Sequence, residues 1–312
     1  MHVLEKYYTV IIMACVLIGL ALGQFSPVAD GAGYFITPLL MVMLTLIFIQ
    51  VPVSDIRKAF QNKRFSLTSV VINFIWTPIL AWSLASIFLA EHPALFIGFI
   101  MLMVTPCTDW YLAFTNVSKG NLPLSTAILP VNLILQLVLL PVYLLLFVGT
   151  SGLMDPSELL WSILLVLVIP FLLAILFRYG RDLNAKIRRV TDIAVQLPVL
   201  FLALAILAMF THQGQILLDN IHFLSWLLLP IGLFFLINYH ISQRTGKVLQ
   251  MPLADQRSLT LTTLARNSPV ALAIALTAFD HEPMVALALI IGPLIELPVL
   301  SFISKLLQRQ SH

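Results

Sequence analysis

The sequence predicts an all-α integral membrane protein of ten transmembrane helices, arranged as two inverted five-helix repeats. Three observations predict it: composition, the length of the apolar runs, and the placement of Lys and Arg. Of 312 residues, 60% are hydrophobic and 10% are charged. A soluble domain is about half apolar and a quarter charged, so a water-soluble globule is excluded. So is a disordered chain, which needs low hydrophobicity and high charge. Outer-membrane barrels alternate apolar and polar residues along each strand, whereas these runs are continuously apolar. Helices satisfy their own backbone hydrogen bonds, as a lipid environment requires.

Taken in order, the runs fall at about 8–25, 33–53, 67–90, 94–117, 122–148, 159–178, 191–210, 223–241, 258–279 and 283–304. Each approaches the ~20 residues that a crossing needs. The first continues directly into the polytopic body and has no cleavable-signal pattern. It holds Cys15 without polar neighbours, a packing position. After the second come Arg57, Lys58, Lys63 and Arg64, and after the sixth Arg178, Arg181, Lys186, Arg188 and Arg189. Lys119, Arg244, Lys247, Arg257, Lys305 and Arg309 follow the other even-numbered runs, and Lys6 precedes the first. That places sixteen of the seventeen basic residues on one side, while TSGLMDPSE (150–158) and THQGQILLDN (211–220) on the other carry none. Basic loops stay in the cytoplasm. Ten spans in a cell inner membrane, with both termini cytoplasmic, follow.

The seventeenth, Arg266, lies within the ninth run. Asp109 in the fourth and Glu296 in the tenth are equally deep. Ionisable groups there cost at least ~2.5 kcal/mol and persist when paired, buried in the bundle or functional. The fourth run is broken by TPCTD (105–109) and the ninth by RNSP (266–269). Proline inside a helix removes a donor and frees a carbonyl. Matched breaks in two halves mark the midplane site of a secondary transporter. After each break the next helix bears a polar residue beside proline: Asn132 after Pro130, and Glu296 after Pro293. An odd number of helices per half inverts the second repeat. The halves divide as 1–150 and 151–312.

The segments TPCTDWYLAFTNVSKGN (105–121), PVNLILQLVLLPVYLLLF (130–147), LARNSPVALAIAL (264–276) and LIIGPLIELPVL (289–300) resemble the arsenical-resistance permeases of the bile acid/sodium symporter superfamily. The resemblance covers segments two to ten. It implies that Cys107 is the essential thiol of an efflux protein and Glu296 its buried acid. It also implies that broken helices four and nine cross inside a core of segments three to five and eight to ten. Segments one, two, six and seven then form a separate panel. Two departures stand out. Asp109 replaces a small apolar residue, and sodium-coupled bile-acid relatives carry Glu and Gln where this chain has Thr262 and Arg266.

Arsenite is a neutral trihydroxide at neutral pH with a soft arsenic atom that favours sulfur, which makes Cys107 the candidate metalloid ligand. A single thiol binds reversibly. Thr105, Thr108, Asn132, Gln136, Asn267 and Ser268 are candidates to line the site. Glu296 is the candidate proton carrier, and Asp109 with Arg266 a candidate charge pair. His212, His222, His240 and His281 sit near span ends without metal-ligand spacing. No cofactor and no nucleic-acid partner are expected, and no GxxxxGK[ST] motif for ATP occurs. The expected partners are the lipid bilayer, protons and a small inorganic or anionic substrate. The expected function is arsenite efflux in exchange for protons, with a sodium- or proton-coupled organic-anion carrier and a non-transporting receptor as alternatives.

Overall fold

A computed structural model describes residues 8–50, 60–107, 110–147, 156–219, 224–279 and 282–310. Thirteen α-helices occur among them: α1 (Tyr8–Leu22), α2 (Ser26–Gln50), α3 (Lys63–Phe88), α4 (Pro93–Val104), α5 (Trp110–Val117), α6 (Leu122–Phe147), α7 (Pro156–Leu183), α8 (Ala185–Ala194), α9 (Pro198–Asp219), α10 (Leu224–Val248), α11 (Leu253–Leu264), α12 (Ser268–Ala278) and α13 (Pro283–Arg309). Seven of them are long and apolar enough to cross a bilayer, and Met13–Leu22, Pro93–Val104 and Ser268–Ala278 are shorter apolar helices. This is a multi-pass membrane protein.

Both sequence breaks are real interruptions. The fourth run divides into α4 and α5, the ninth into α11 and α12. Other boundaries depart from hydropathy because caps set them. The seventh run was expected at 191–210, but its helix starts at Pro198 and continues through the expected loop to Asp219. Residues 185–194, expected as the end of a basic loop and the start of the seventh run, are the short helix α8, whose Asn184 cap accepts a hydrogen bond from Lys186 N at 2.8 Å. An Asn cap satisfies an otherwise orphaned donor.

The chain forms two compact units, each assembled from separate stretches of sequence. One comprises residues 1–51, 157–222 and 272–283; the other 52–156, 223–271 and 284–312. In the first unit, α9 packs along both α1 and α2. Gly19 and Gly23 permit the close approach of α1: a Cβ at Gly19 would lie 2.8 Å from Leu207 O, and one at Gly23 2.7 Å from Thr211 O. Small residues four apart let membrane helices approach this closely.

In the second unit, α3 contains one π-helical turn, Ile72–Trp76. Pro78 has no N–H to offer Phe74 O four residues back. The Tyr143 hydroxyl, from α6, donates to that carbonyl at 2.6 Å. The turn carries Asn73, which is fully buried. Helices α4 and α13 interlock, since a Cβ at Gly98 would lie 2.6 Å from Ala288 Cβ, and one at Gly292 2.6 Å from Leu102.

Candidate functional site

The two breaks meet main chain to main chain. Cys107 N donates to Ala265 O at 2.9 Å, and Asn267 N to Thr105 O at 2.7 Å, an antiparallel bridge centred on Pro106 and Arg266. Each break therefore satisfies polar groups that the other exposes, the condition for irregular backbone inside a membrane. Thr105 Oγ1 donates back to Met101 O at 2.9 Å. Asn267 Oδ1 accepts from Val270 N at 3.3 Å and so caps α12.

Arg266 is 2% exposed and Glu296 3%. Burial this deep tolerates a charge only where its hydrogen bonds are made. The guanidinium donates from Nε to Leu264 O at 3.2 Å, and from Nη1 to Met103 O at 2.8 Å. Its Nη2 donates to Asn73 Oδ1 at 3.0 Å and also to Thr263 O. Met103 lies in the last turn of α4, and Thr263 and Leu264 in the last turn of α11. Those carbonyls have no intrahelical donor and carry the negative end of each helix dipole. One cation thus sits on two helix C-termini. The Phe234 ring of α10 lies 5.4 Å from its central carbon, within cation–π range. Arg266 N donates to Glu296 Oε1 at 2.8 Å, which ties α13 to the bridge.

Cys107, Asn267, Arg266 and Glu296 are therefore gathered at one place, all buried. Ser268 is buried at the start of α12. Thr108 and Asp109 lie outside the described residues, and with them the expected pairing of Asp109 with Arg266. Asn132 and Gln136 are one turn apart on α6 and fully buried, and no side-chain nitrogen or oxygen of either has a hydrogen-bond partner among the described residues. Among the described residues, no three His, Cys, Asp or Glu side chains cluster as metal ligands.

Sequence reasoning missed Asn73 and Phe234. An isolated Asn in the apolar run of segment three was the available signal for Asn73. Phe234 had none, being one of twenty phenylalanines.

The paired breaks and buried charges are the architecture of a carrier, and residues 37–220 match the model of the sodium bile acid symporter family. The chain belongs to that family. It is a membrane transporter and not an enzyme. Relatives cover nearly its whole length. It is similar to the arsenical-resistance protein Acr3 of Corynebacterium glutamicum, 23% identical over 323 residues, covering 95% of this chain and 86% of that protein. Acr3 of Alkaliphilus metalliredigens is 21% identical over 332 residues, covering 99% and 93%. An uncharacterized transporter of Synechocystis, slr0944, is 24% identical over 341 residues, covering 96% and 87%. The family match ends before α10, but the alignments with these relatives cover nearly all of this chain.

Proposed function

We propose that this family member expels arsenite from the cell in exchange for protons, acting in the inner membrane with both termini cytoplasmic. The observation that carries the reading is Cys107: a buried thiol on non-helical backbone, bridged to the Arg266 segment. Soft sulfur is the side-chain ligand that arsenic prefers, and one thiol lets go again. The substrate's hydroxyls need both donors and acceptors. Asn132 and Gln136 offer buried amides of both kinds, and leaving such groups unpaired costs about 1–3 kcal/mol each. Asn267 and Ser268, and Thr108 beside the thiol, complete the binding set. Glu296 carries the proton, and residues 1–150 and 151–312 act as inverted repeats.

The organic-anion alternative would use Arg266 to hold a carboxylate. Against it, four hydrogen bonds already direct the guanidinium at neutral oxygens of the chain. A receptor or scaffold would give Asn132 and Gln136 no solute to bind.

The test is arsenite resistance in a host without its own efflux. Cys107→Ser should abolish resistance at unchanged membrane abundance, and Cys15→Ser should leave it intact. Full resistance from Cys107→Ser would end the thiol mechanism.

A further inference from the structure

The first compact unit contains a cleft of about 340 Å³ lined by α2, α7, α8 and α9, within the size range of small-molecule pockets. Its walls include Met41, Leu46, Phe177, Val190, Ala194 and Phe201. The hydroxyl of Thr45, also in the wall, donates to Met41 O at 2.8 Å within its own helix. The lining is therefore apolar in effect. Val42, Leu173, Phe177 and Val190 line the cleft and are also 39–65% exposed, so it opens sideways from the helices.

Helix α8 closes one end of this cleft, and its sequence AKIRRVTDIA is two-faced. At 100° per residue, Ile187, Val190, Ile193 and Ala194 share one face. Lys186 falls within that arc between Ile193 and Val190, Arg189 lies about 40° beyond its Ile193 edge, and Arg188 about 100° beyond its Ile187 edge. Ile187, Val190 and Ile193 remain exposed, the pattern of a helix lying in the bilayer interface. Arg181 is paired with Asp192 at 2.7 Å, and Arg178 donates to Ile49 O and Phe48 O at the end of α2. Lys186, Arg188 and Arg189 make no ion pair among the described residues.

We propose that this cleft is a binding site for one anionic phospholipid: an acyl chain fills the apolar cleft, and Lys186 and Arg189 hold the phosphate at its mouth. Both chemical halves of that ligand have a counterpart here. The lateral opening admits a chain from the bilayer, and cations without an ion pair on the same short helix as the lining residues Val190 and Ala194 favour a negative headgroup. Basic pockets between helices on the cytoplasmic side bind such headgroups. The inference concerns a different place from the Cys107 site and stands apart from what is transported there.

Native mass spectrometry of the detergent-purified full chain, titrated with dioleoyl-phosphatidylglycerol or dioleoyl-phosphatidylcholine, tests it. One phosphatidylglycerol should be retained in preference to phosphatidylcholine. Each headgroup cation near a membrane surface is worth about fivefold, so K186Q/R189Q should weaken retention by roughly 25-fold. R188Q, an equally exposed charge on the far face, should have a much smaller effect. Ala194→Phe fills the cleft without altering charge and should also abolish preferential retention. Equal retention of both lipids would overturn the proposal. So would an R188Q loss equal to a single near-face loss, or an Ala194→Phe protein that binds as before. A lipid-free dimer mass would assign the cleft to a second copy instead.

Discussion

At the scale of single residues, Arg266 does what no other side chain could. Its planar fork reaches carbonyls of two helices and Asn73 at once, and it stays charged at any working pH. Lys carries its three donors on one nitrogen and cannot span that set, so Arg266→Lys should fail nearly as badly as Arg266→Gln. Removing one partner alone is milder. Asn73→Leu leaves one guanidinium N–H unpaired and should cost about 1–3 kcal/mol in thermal or denaturant unfolding, with further loss of transport. Glu296 is tied to the same segment by the Arg266 N–H. As the proposed proton carrier it must alternate between charged and neutral forms. Glu296→Gln mimics the neutral form, so arsenite binding should survive while the pH dependence of vesicle transport disappears. A variant with the parent's pH profile would exclude Glu296 from coupling.

At the scale of elements, the sequence was most informative where proline interrupts apolar runs. Pro106 and Pro269 announced both breaks, because a missing N–H inside a helix has a local signature. The partner of each break was not announced, since the bridge joins residues about 160 positions apart through backbone atoms that every residue possesses. The π turn was equally hidden. It depends on Tyr143 reaching Phe74 O across 69 residues, and nothing near Asn73 records that contact. Tyr143→Phe should destabilise the second unit by about 1–3 kcal/mol, by leaving that carbonyl buried and unpaired. The helix α8 was illegible for another reason. Its dense basic residues read as a loop, while its apolar face spans too few residues to register as a segment. Gly19 and Gly23 show close packing that hydropathy also ignores. Gly19→Leu should disrupt the contact of α1 with α9, measurable as earlier thermal aggregation of the purified protein.

At the scale of the molecule, coupling is the property with the widest reach. Carbonyls at two interrupted helix ends are the natural ligands of a hard cation. Here a side-chain cation already occupies them. A second positive charge at ~4 Å, in an effective dielectric near 20, meets about 4 kcal/mol of repulsion, roughly three orders of magnitude in affinity. Replacing external sodium by potassium should therefore leave arsenite transport unchanged, and an imposed pH gradient should drive it in everted vesicles. Collapse of transport without sodium would show that Arg266 does not stand in for the ion. The loop Lys and Arg residues serve a different purpose at this scale. Such residues bias the orientation of a membrane protein and say nothing about which ion is used.

The two rungs joining the breaks are drawn by peptide groups, with no side chain in either. The frame is thus blind to the identity of the residues it displays. Exchange of residue 107 for serine, histidine or aspartate leaves every donor and acceptor of both rungs in place. Only the loss of a donating N–H removes them, so Cys107→Pro and Asn267→Pro should unmake the frame itself, whereas other replacements re-chemise an intact socket. Descent with altered cargo would need few changes in such a protein, and those changes would fall at the displayed positions.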